Sequence, residues 1–131
     1  MEMNPERTIR DILSTLQSNR VTTTEVVVVN DGSTDGSKET LDQLCKELSE
    51  QPFRVIHHSR NLGYGAALKT GIRRSNAELI CITDADGTYP NQRIPELLDL
   101  GEQHDMVVGA RTGDDVDYSK IRSIPKLILV P

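Results

Sequence analysis

Two acids, Asp84 and Asp86, follow a short apolar run and are separated by a single residue. The run over residues 79–83 predicts a buried strand, and successive side chains of a strand point to opposite faces. Where the strand turns into a loop, both carboxylates can converge on one hard cation, which prefers oxygen ligands. Asp and Gly are also favoured in solvated turns. The segment therefore predicts either a divalent-metal site or an ordinary turn.

A second polar segment, residues 31–37, follows the valine run at residues 26–29. Its oxygen-bearing side chains match part of a calcium loop, but such a loop lies between two helices and this one follows a strand. The context favours a strand-to-helix turn in which a Ser, Thr or Asp side chain caps the next helix. Asp31 then either faces a ligand at the strand end or serves only as a cap.

The Gly-rich stretch at residues 61–71 is similar to two kinds of phosphate-binding loop, but Leu68 stands where each pattern requires glycine. What remains is a flexible approach to a helix start, whose free amide groups and dipole favour a nearby anion. Gly63 lies in that approach. Lys69 lies on the helix, where it either faces the anion or is solvated.

The histidines and cysteines are given no chemical role. His57 and His58 are adjacent at a strand end, so their side chains diverge and a shared metal is not expected. Both, with His104, are interpreted as structural or exposed. Cys45 and Cys81 lie in unrelated contexts, which predicts buried free thiols rather than a disulfide.

The elements that must position the acids alternate along the chain. Apolar spacing predicts a first helix capped by Asn4, a second containing Leu41, Leu44 and Leu48, and helices at residues 66–75 and 94–103. The predicted strands are residues 26–29, 53–57, 79–83 and 106–108. A final helical stripe, broken by Pro125, contains Ile121, Ile124, Leu127 and Ile128.

Alternating strands and helices predict an α/β domain with a mostly parallel sheet and helices on both faces. In such sheets ligands bind beyond the carboxyl ends of the strands. Three of the four predicted strands end there in polar or Gly-rich sequence, so that edge is the predicted active face. No composition shift marks a linker, and residues 1–131 are interpreted as one domain.

Composition excludes some classes of function. The chain has 131 residues and a net charge of −5, so it lacks the basic field that holds nucleic acid. It contains no apolar stretch of membrane-spanning length and no signal-peptide pattern near Met1, which predicts a cytoplasmic protein.

Four motifs occur in a fixed order: Asp31-Gly-Ser-Thr-Asp-Gly, Asn61-x-Gly-x-Gly-Ala-x-x-x-x-Gly71, Asp84-Ala-Asp-Gly and Val108-Gly-Ala-Arg111. With them the chain resembles family-two glycosyltransferases, in particular the branch of dolichol-phosphate mannosyltransferases and other polyprenyl-phosphate sugar transferases. The resemblance implies a GT-A, Rossmann-like fold, a nucleotide-diphospho-sugar donor, Mg²⁺ or Mn²⁺, and inversion at the sugar carbon.

The resemblance also implies roles for particular residues. Asp31 contacts the nucleoside, Asp84 the ribose or diphosphate region, and Asp86 the metal that bridges the diphosphate. Asp84 and Asp86 together form the predicted catalytic and metal site. The residues assigned to the nucleotide sugar are Asp31, Gly32, Gly63, Lys69 and Asp84.

Two arginines match positions that lie near the acceptor phosphate in the family. Arg111 and Arg122 stand where members of the polyprenyl-phosphate branch approach the acceptor phosphate, which arginine binds by its bidentate geometry. The implied acceptor is a polyprenyl phosphate, which would place the protein at the cytoplasmic face of the membrane.

The sequence departs from the family at both ends. The family's apolar first strand is absent here, and that strand lies centrally, between the strands predicted at residues 26–29 and 79–83. We expect the gap to be closed, because unpaired buried backbone groups cost about 1–3 kcal/mol each. The means are direct pairing of those strands or a segment from another chain, as in a homo-oligomer. The family's acceptor-binding segment beyond Arg122 is also absent.

The sequence thus predicts an inverting glycosyltransferase, or a partial domain of one. Two alternatives stay open. One is a catalytically inactive remnant that binds nucleotide or metal, or oligomerises. The other is a nucleotidyltransferase of similar architecture.

Overall fold

The structure, a computed structural model, describes residues 4–19, 21 and 24–110, together with the backbone of residues 126–130. In chain order the elements are α1 (Pro5–Ser18), β1 (Glu25–Asn30), α2 (Ser37–Glu47), β2 (Phe53–His57), α3 (Tyr64–Arg74), β3 (Cys81–Asp84), a 3-10 helix (Asn91–Arg93), α4 (Ile94–Gly101) and β4 (Lys126–Val130). Helices and strands alternate from α1 to α4, as the apolar spacing predicts.

Helix α1 begins at the predicted cap. The side-chain oxygen of Asn4 accepts a hydrogen bond from the backbone N–H of Arg7 at 3.0 Å. Pro5 occupies the first turn, where a backbone N–H has no partner within the helix. The buried apolar residues of α1 follow helical spacing and join the core on one face of the sheet: Ile9, Ile12, Leu13 and Leu16.

Strand β1 is buried on both faces, and its four valines are fully buried. Val26 and Val28 pack in a core shared with α1, α2 and α4. Val27 and Val29 pack with Ala67 of α3 on the opposite face. The prediction of helices on both faces is therefore confirmed, and the β-branched run is explained by burial on two sides.

The described strands form one sheet in the order β2-β1-β4-β3. Strands β1 and β2 are parallel, with Val28 opposite Val55. Strand β4 is antiparallel to both of its neighbours, with Leu127 opposite Val28 on one side and Thr83 on the other. Because β1 and β3 both run opposite to β4, the carboxyl ends of β1, β2 and β3 lie at one edge of the sheet.

Strand β4 fills the gap expected between β1 and β3. The prediction that the gap is closed is confirmed, but neither predicted means is the one in the structure. A segment of the same chain enters the sheet, so neither direct pairing nor a second copy is needed. The predicted helical stripe is wrong for Leu127 and Ile128, because an apolar run after Pro125 suits an extended strand that can pair on both sides.

The strand predicted at residues 106–108 is wrong. These residues have no regular secondary structure, and Met106 and Val108 are 81% and 71% exposed. A strand needs a partner edge as well as β-branched residues, and this three-residue run pairs with none of the described strands.

Candidate functional site

The site lies at the edge where β1, β2 and β3 end. Asn30 is the last residue of β1, His57 of β2 and Asp84 of β3. Antiparallel β4 brings its first residue, Lys126, to the same edge, opposite both Val29 and Asp84 in the register. The polar sequence after each parallel strand is therefore gathered at one place, as the fold class predicts.

The Asp31 carboxylate joins the end of β1 to the Gly-rich approach to α3. Its Oδ1 accepts a hydrogen bond from the backbone N–H of Leu62 at 2.9 Å, and its Oδ2 accepts one from Gly63 at 2.8 Å. The His58 ring contacts Oδ1 at 2.8 Å. Sequence reasoning expected an anion near this helix start, and the structure places the Asp31 carboxylate there.

These contacts determine the charge state of Asp31. Burial acts to raise the pKa of the carboxyl, but the hydrogen bond from His58 and those from the Leu62 and Gly63 amides outweigh it, so the pKa lies below its usual range. Asp31 is therefore ionised at neutral pH. The stability from these bonds is present above the usual pKa of Asp and is lost as the pH falls through the depressed value.

Gly32 allows the loop after β1 to approach the loop after β2 closely. Its φ is +68°, and a Cβ at this position would lie 2.3 Å from the carbonyl carbon of Arg60 and 2.4 Å from the backbone nitrogen of Asn61. Only glycine fits both the backbone conformation and the space. The structure thus gives Gly32 a role in packing, while its predicted contact with the nucleotide sugar stays a prediction.

Gly63 and Lys69 lie at the start of α3 and one turn into it. Gly63 is the N-cap residue, with φ +100°, and it donates to Asp31. Lys69 is exposed. Its assignment to the nucleotide sugar stays a prediction.

Asp84 and Asp86 are 4% and 8% exposed, respectively, so they do not form a solvated turn. Asp86 Oδ1 accepts hydrogen bonds from the N–H and the hydroxyl of Thr88 at 3.0 and 2.7 Å. Partial burial raises the pKa of Tyr64, and the charges of Asp84 and Tyr89 raise it further. Buried carboxylates are costly unless they are paired or bind a cation.

The chemistry of this pair fits a divalent cation with few protein ligands. Within the described part of the chain, no group of three or more His, Cys, Asp or Glu side chains is placed to hold a metal. Mg²⁺ is commonly held by one or two carboxylates, with phosphate oxygens and water as the other ligands. Asp84 and Asp86 are the residues that would hold it here.

The loop that carries the acids is anchored beneath them. The hydroxyl of Thr83 donates to the side-chain oxygen of Asn91 at 2.8 Å, and both residues are buried. The bond joins the end of β3 to the 3-10 helix that precedes α4. It fixes both ends of the segment that contains Asp84 and Asp86.

The sequence indicated a structural or exposed position for His58 but identified neither of its side-chain partners. Its ring bridges Asp31 and the hydroxyl of Thr70 on α3, at 2.8 and 2.7 Å. His57 points elsewhere, toward Asn30 and Asp42, so the prediction that the two side chains diverge is confirmed. The position of His58, immediately after β2 at the predicted ligand edge, was a usable signal. Its partner Thr70 was not visible in the sequence pattern.

Other predictions divide between those tested and those outside the described residues. Cys45 and Cys81 are free, as predicted, but both are half-buried rather than buried. Burial raises the pKa of the Cys81 thiol to about 11. Arg111 and Arg122 lie outside the described residues. None of the helices in the described part of the chain is long and apolar enough to cross a membrane.

The fold and site together define an α/β domain of the GT-A, Rossmann-like type, with acidic residues at the carboxyl edge of its sheet. Comparison with known families agrees with this class. The model of glycosyl transferase family 2 matches residues 3–127, and the chain belongs to that family.

Relatives among curated proteins include sugar transferases named for lipid phosphates. The chain is 37% identical over 106 residues to an undecaprenyl-phosphate 4-deoxy-4-formamido-L-arabinose transferase of Pseudomonas savastanoi pv. phaseolicola, covering 81% of this chain and 31% of that protein. It is 33% identical to a dolichol-phosphate mannosyltransferase of Mycosarcoma maydis, covering 79% and 35%. It is 32% identical to a dolichyl-phosphate beta-glucosyltransferase of Saccharomyces cerevisiae, covering 70% and 28%.

The chain therefore spans about a third of the length of these relatives. No solved structure matches it.

Proposed function

We propose that this chain is the donor-binding part of an inverting glycosyltransferase that transfers a sugar from a nucleotide diphosphate to a polyprenyl phosphate. The observation that carries the proposal is the pair of buried carboxylates, Asp84 and Asp86, at the sheet edge that also holds Asp31. Family membership and the relatives named for undecaprenyl and dolichol phosphates support it.

In this proposal each acid contacts a different part of the nucleotide-sugar donor. Asp31, held to the loop before α3, contacts the nucleoside, and Asp84 contacts the ribose or diphosphate. Asp84 and Asp86 would hold a divalent cation, Mg²⁺ or Mn²⁺, at this edge of the sheet. When bound, such a cation stabilises the negative charge that develops on the leaving nucleoside diphosphate.

The proposed acceptor requires little help with proton removal. A polyprenyl phosphate is already anionic near neutral pH, so its oxygen attacks the sugar carbon without a strong general base. Arg111 and Arg122 are the proposed ligands of that phosphate, because arginine binds phosphate through two parallel hydrogen bonds.

Asp86→Asn tests the metal role with little structural disturbance. Asparagine keeps the Oδ1 acceptor that Thr88 contacts but removes the charge. In calorimetry with Mn²⁺ and a panel of UDP, GDP and dTDP, we expect affinity for the preferred nucleotide to fall by at least about tenfold. Asp99→Asn, on exposed α4 surface, is the matched control and should bind like the wild type.

Two outcomes would count against the proposal. Equal binding by the wild type and Asp86→Asn would remove Asp86 from the metal site. Failure of the wild type to bind any nucleoside diphosphate in the presence of Mn²⁺ would overturn the role of this chain as the donor-binding part.

A further inference from the structure

His58 is held in a chain of hydrogen bonds that begins on α3 and ends at Asp31. The Nδ1 atom lies 2.8 Å from Asp31 Oδ1, and Nε2 lies 2.7 Å from the hydroxyl oxygen of Thr70. The backbone N–H of His58 also donates to the carbonyl of Asn30 at 2.9 Å. His58, the residue that follows β2, is thus hydrogen-bonded to both β1 and α3.

The hydrogen-bonded side chains of His58 and Asp31 are largely shielded from water. The exposed fraction is 9% for the His58 side chain and 12% for that of Asp31. Hydrogen bonds in such surroundings hold their geometry better than exposed ones, because water competes less for the same donors and acceptors. Both ring nitrogens of His58 are engaged, so this histidine is neither a metal ligand nor a proton carrier to the substrate.

The chemistry of Asp31 determines the direction of the bonds. An ionised carboxylate only accepts, so Nδ1 of His58 carries the proton and donates it. In the neutral ring Nε2 then accepts from the Thr70 hydroxyl. Asp31 therefore fixes the tautomer of His58, and the Thr70 hydroxyl, which can donate or accept, holds the other ring nitrogen in place.

The bonds leave the two oxygens of Asp31 in different states. Oδ1 accepts from His58 and from the Leu62 amide, whereas Oδ2 accepts from the Gly63 amide alone among the hydrogen bonds of the described residues. A carboxylate oxygen has two acceptor positions. The oxygen with capacity for a further donor is Oδ2.

We propose that His58, braced by Thr70, is a positioning residue that fixes the Asp31 carboxylate so that Oδ2 is presented to the nucleoside of the donor. This inference rests on the proposed function, in which Asp31 contacts the nucleoside. It assigns His58 no contact with the substrate. Its effect is confined to the nucleoside end of the site, away from the acids that hold the diphosphate.

Two substitutions distinguish the contributions of the two ring nitrogens of His58. In His58→Asn the amide nitrogen takes the place of Nδ1 and can still donate to Asp31. In His58→Gln the amide reaches toward the position of Nε2 and Thr70, so Asp31 loses its partner. We expect His58→Gln to weaken Mn²⁺-dependent binding of the preferred nucleoside diphosphate by about tenfold, the effect of losing one charge-assisted hydrogen bond. His58→Asn should restore most of that loss.

Pyrophosphate with Mn²⁺ serves as the ligand without a nucleoside. A merely structural role of His58 would weaken pyrophosphate and nucleotide binding together, whereas a positioning role leaves pyrophosphate binding at the wild-type level. Thr70→Val should shift nucleotide affinity in the same direction as His58→Gln, and Thr70→Ser should not. His104→Gln, on the exposed surface, is the control for the histidine substitution.

The outcomes distinguish this inference from the function on which it rests. A wild-type protein that binds no nucleoside diphosphate overturns both. If the wild type binds nucleotide and His58→Gln binds it equally well, only the positioning role is overturned. Equal loss of nucleotide and pyrophosphate binding in His58→Gln and His58→Asn also overturns it.

Discussion

Asp31 joins three segments that are distant in the sequence. Its carboxylate contacts the His58 ring and the amides of Leu62 and Gly63, so one side chain connects the ends of β1 and β2 with the start of α3. The loop before α3 lacks a side-chain cap of its own. Asp31 supplies the negative charge that a helix start favours. A residue that we propose binds the donor therefore also holds the Gly-rich loop before α3 in place.

The close approach at Gly32 gives a prediction about stability. Alanine at this position would have both a left-handed backbone and a Cβ within 2.4 Å of the backbone at Arg60 and Asn61. We expect Gly32→Ala to lower the free energy of unfolding by about 2–5 kcal/mol, from strain and overpacking together. Urea denaturation followed by circular dichroism measures the change.

Gly36 provides the matched control for Gly32. Its φ is +86°, but a Cβ there would meet none of the described atoms within 4 Å. Gly36→Ala therefore tests backbone strain alone, with an expected loss of about 1–2 kcal/mol. Equal losses in the two variants would show that the contact with the Arg60–Asn61 backbone contributes nothing.

Residue types predicted the acidic residues of the candidate site but not the position of His58. The common position of Asp31, Asp84 and Asp86 at one edge of the sheet was predictable, because polar residues after apolar runs mark the ends of parallel strands. His58 was not, because its role depends on a hydroxyl that reaches it from α3. Local sequence records which side chains are available, whereas partners from another element are set by tertiary packing.

The connection between β3 and the 3-10 helix determines where the acidic loop lies. The buried hydrogen bond from Thr83 to Asn91 spans this loop. Thr83→Val keeps the shape of the side chain but leaves the buried oxygen of Asn91 without its donor. We expect the free energy of unfolding to fall by about 1–3 kcal/mol. Metal-dependent nucleotide binding should weaken as well, because the acids lose one anchor.

Thr40→Val is the matched control for Thr83→Val. Thr40 is exposed on α2 and donates to the Gly36 carbonyl at 3.2 Å, so its replacement should change stability by no more than about 0.5 kcal/mol. A double-mutant cycle of Thr83→Val with Asn91→Ala gives the coupling between the two side chains. Strictly additive losses would contradict the inferred bond.

Elements were predictable where local pattern and tertiary environment agree. The strand at Phe53–His57 has the predicted bounds, and α1 begins at its predicted cap. Residues 106–108 have equally strong strand propensity but no partner, and residues 127–128 have helical spacing but a place in the sheet. Both errors arise because strands depend on pairing with distant segments, which no local window contains.

The molecule as a whole depends on one strand for the continuity of its sheet. Without β4, strands β1 and β3 would each present an unpaired edge at the centre of the domain. The two core clusters lie on opposite faces of β1, so an open edge there would expose both. The position of β4 also brings the start of that strand, Lys126, to the edge that holds Asp84.

Ile128→Pro tests this dependence on β4. Ile128 lies opposite Val27 in β1 and Ile82 in β3, and proline in a central strand removes a ladder hydrogen bond. By hydrogen exchange, we expect amides of β1 and β3 that face β4 to lose at least about tenfold protection, while amides between β1 and β2 keep theirs. Met106→Pro, in an exposed stretch without regular structure, should change neither set. Unchanged protection of β1 and β3 in Ile128→Pro would mean that these strands pair with each other or with a second chain. Protection that rises with protein concentration would identify the second chain.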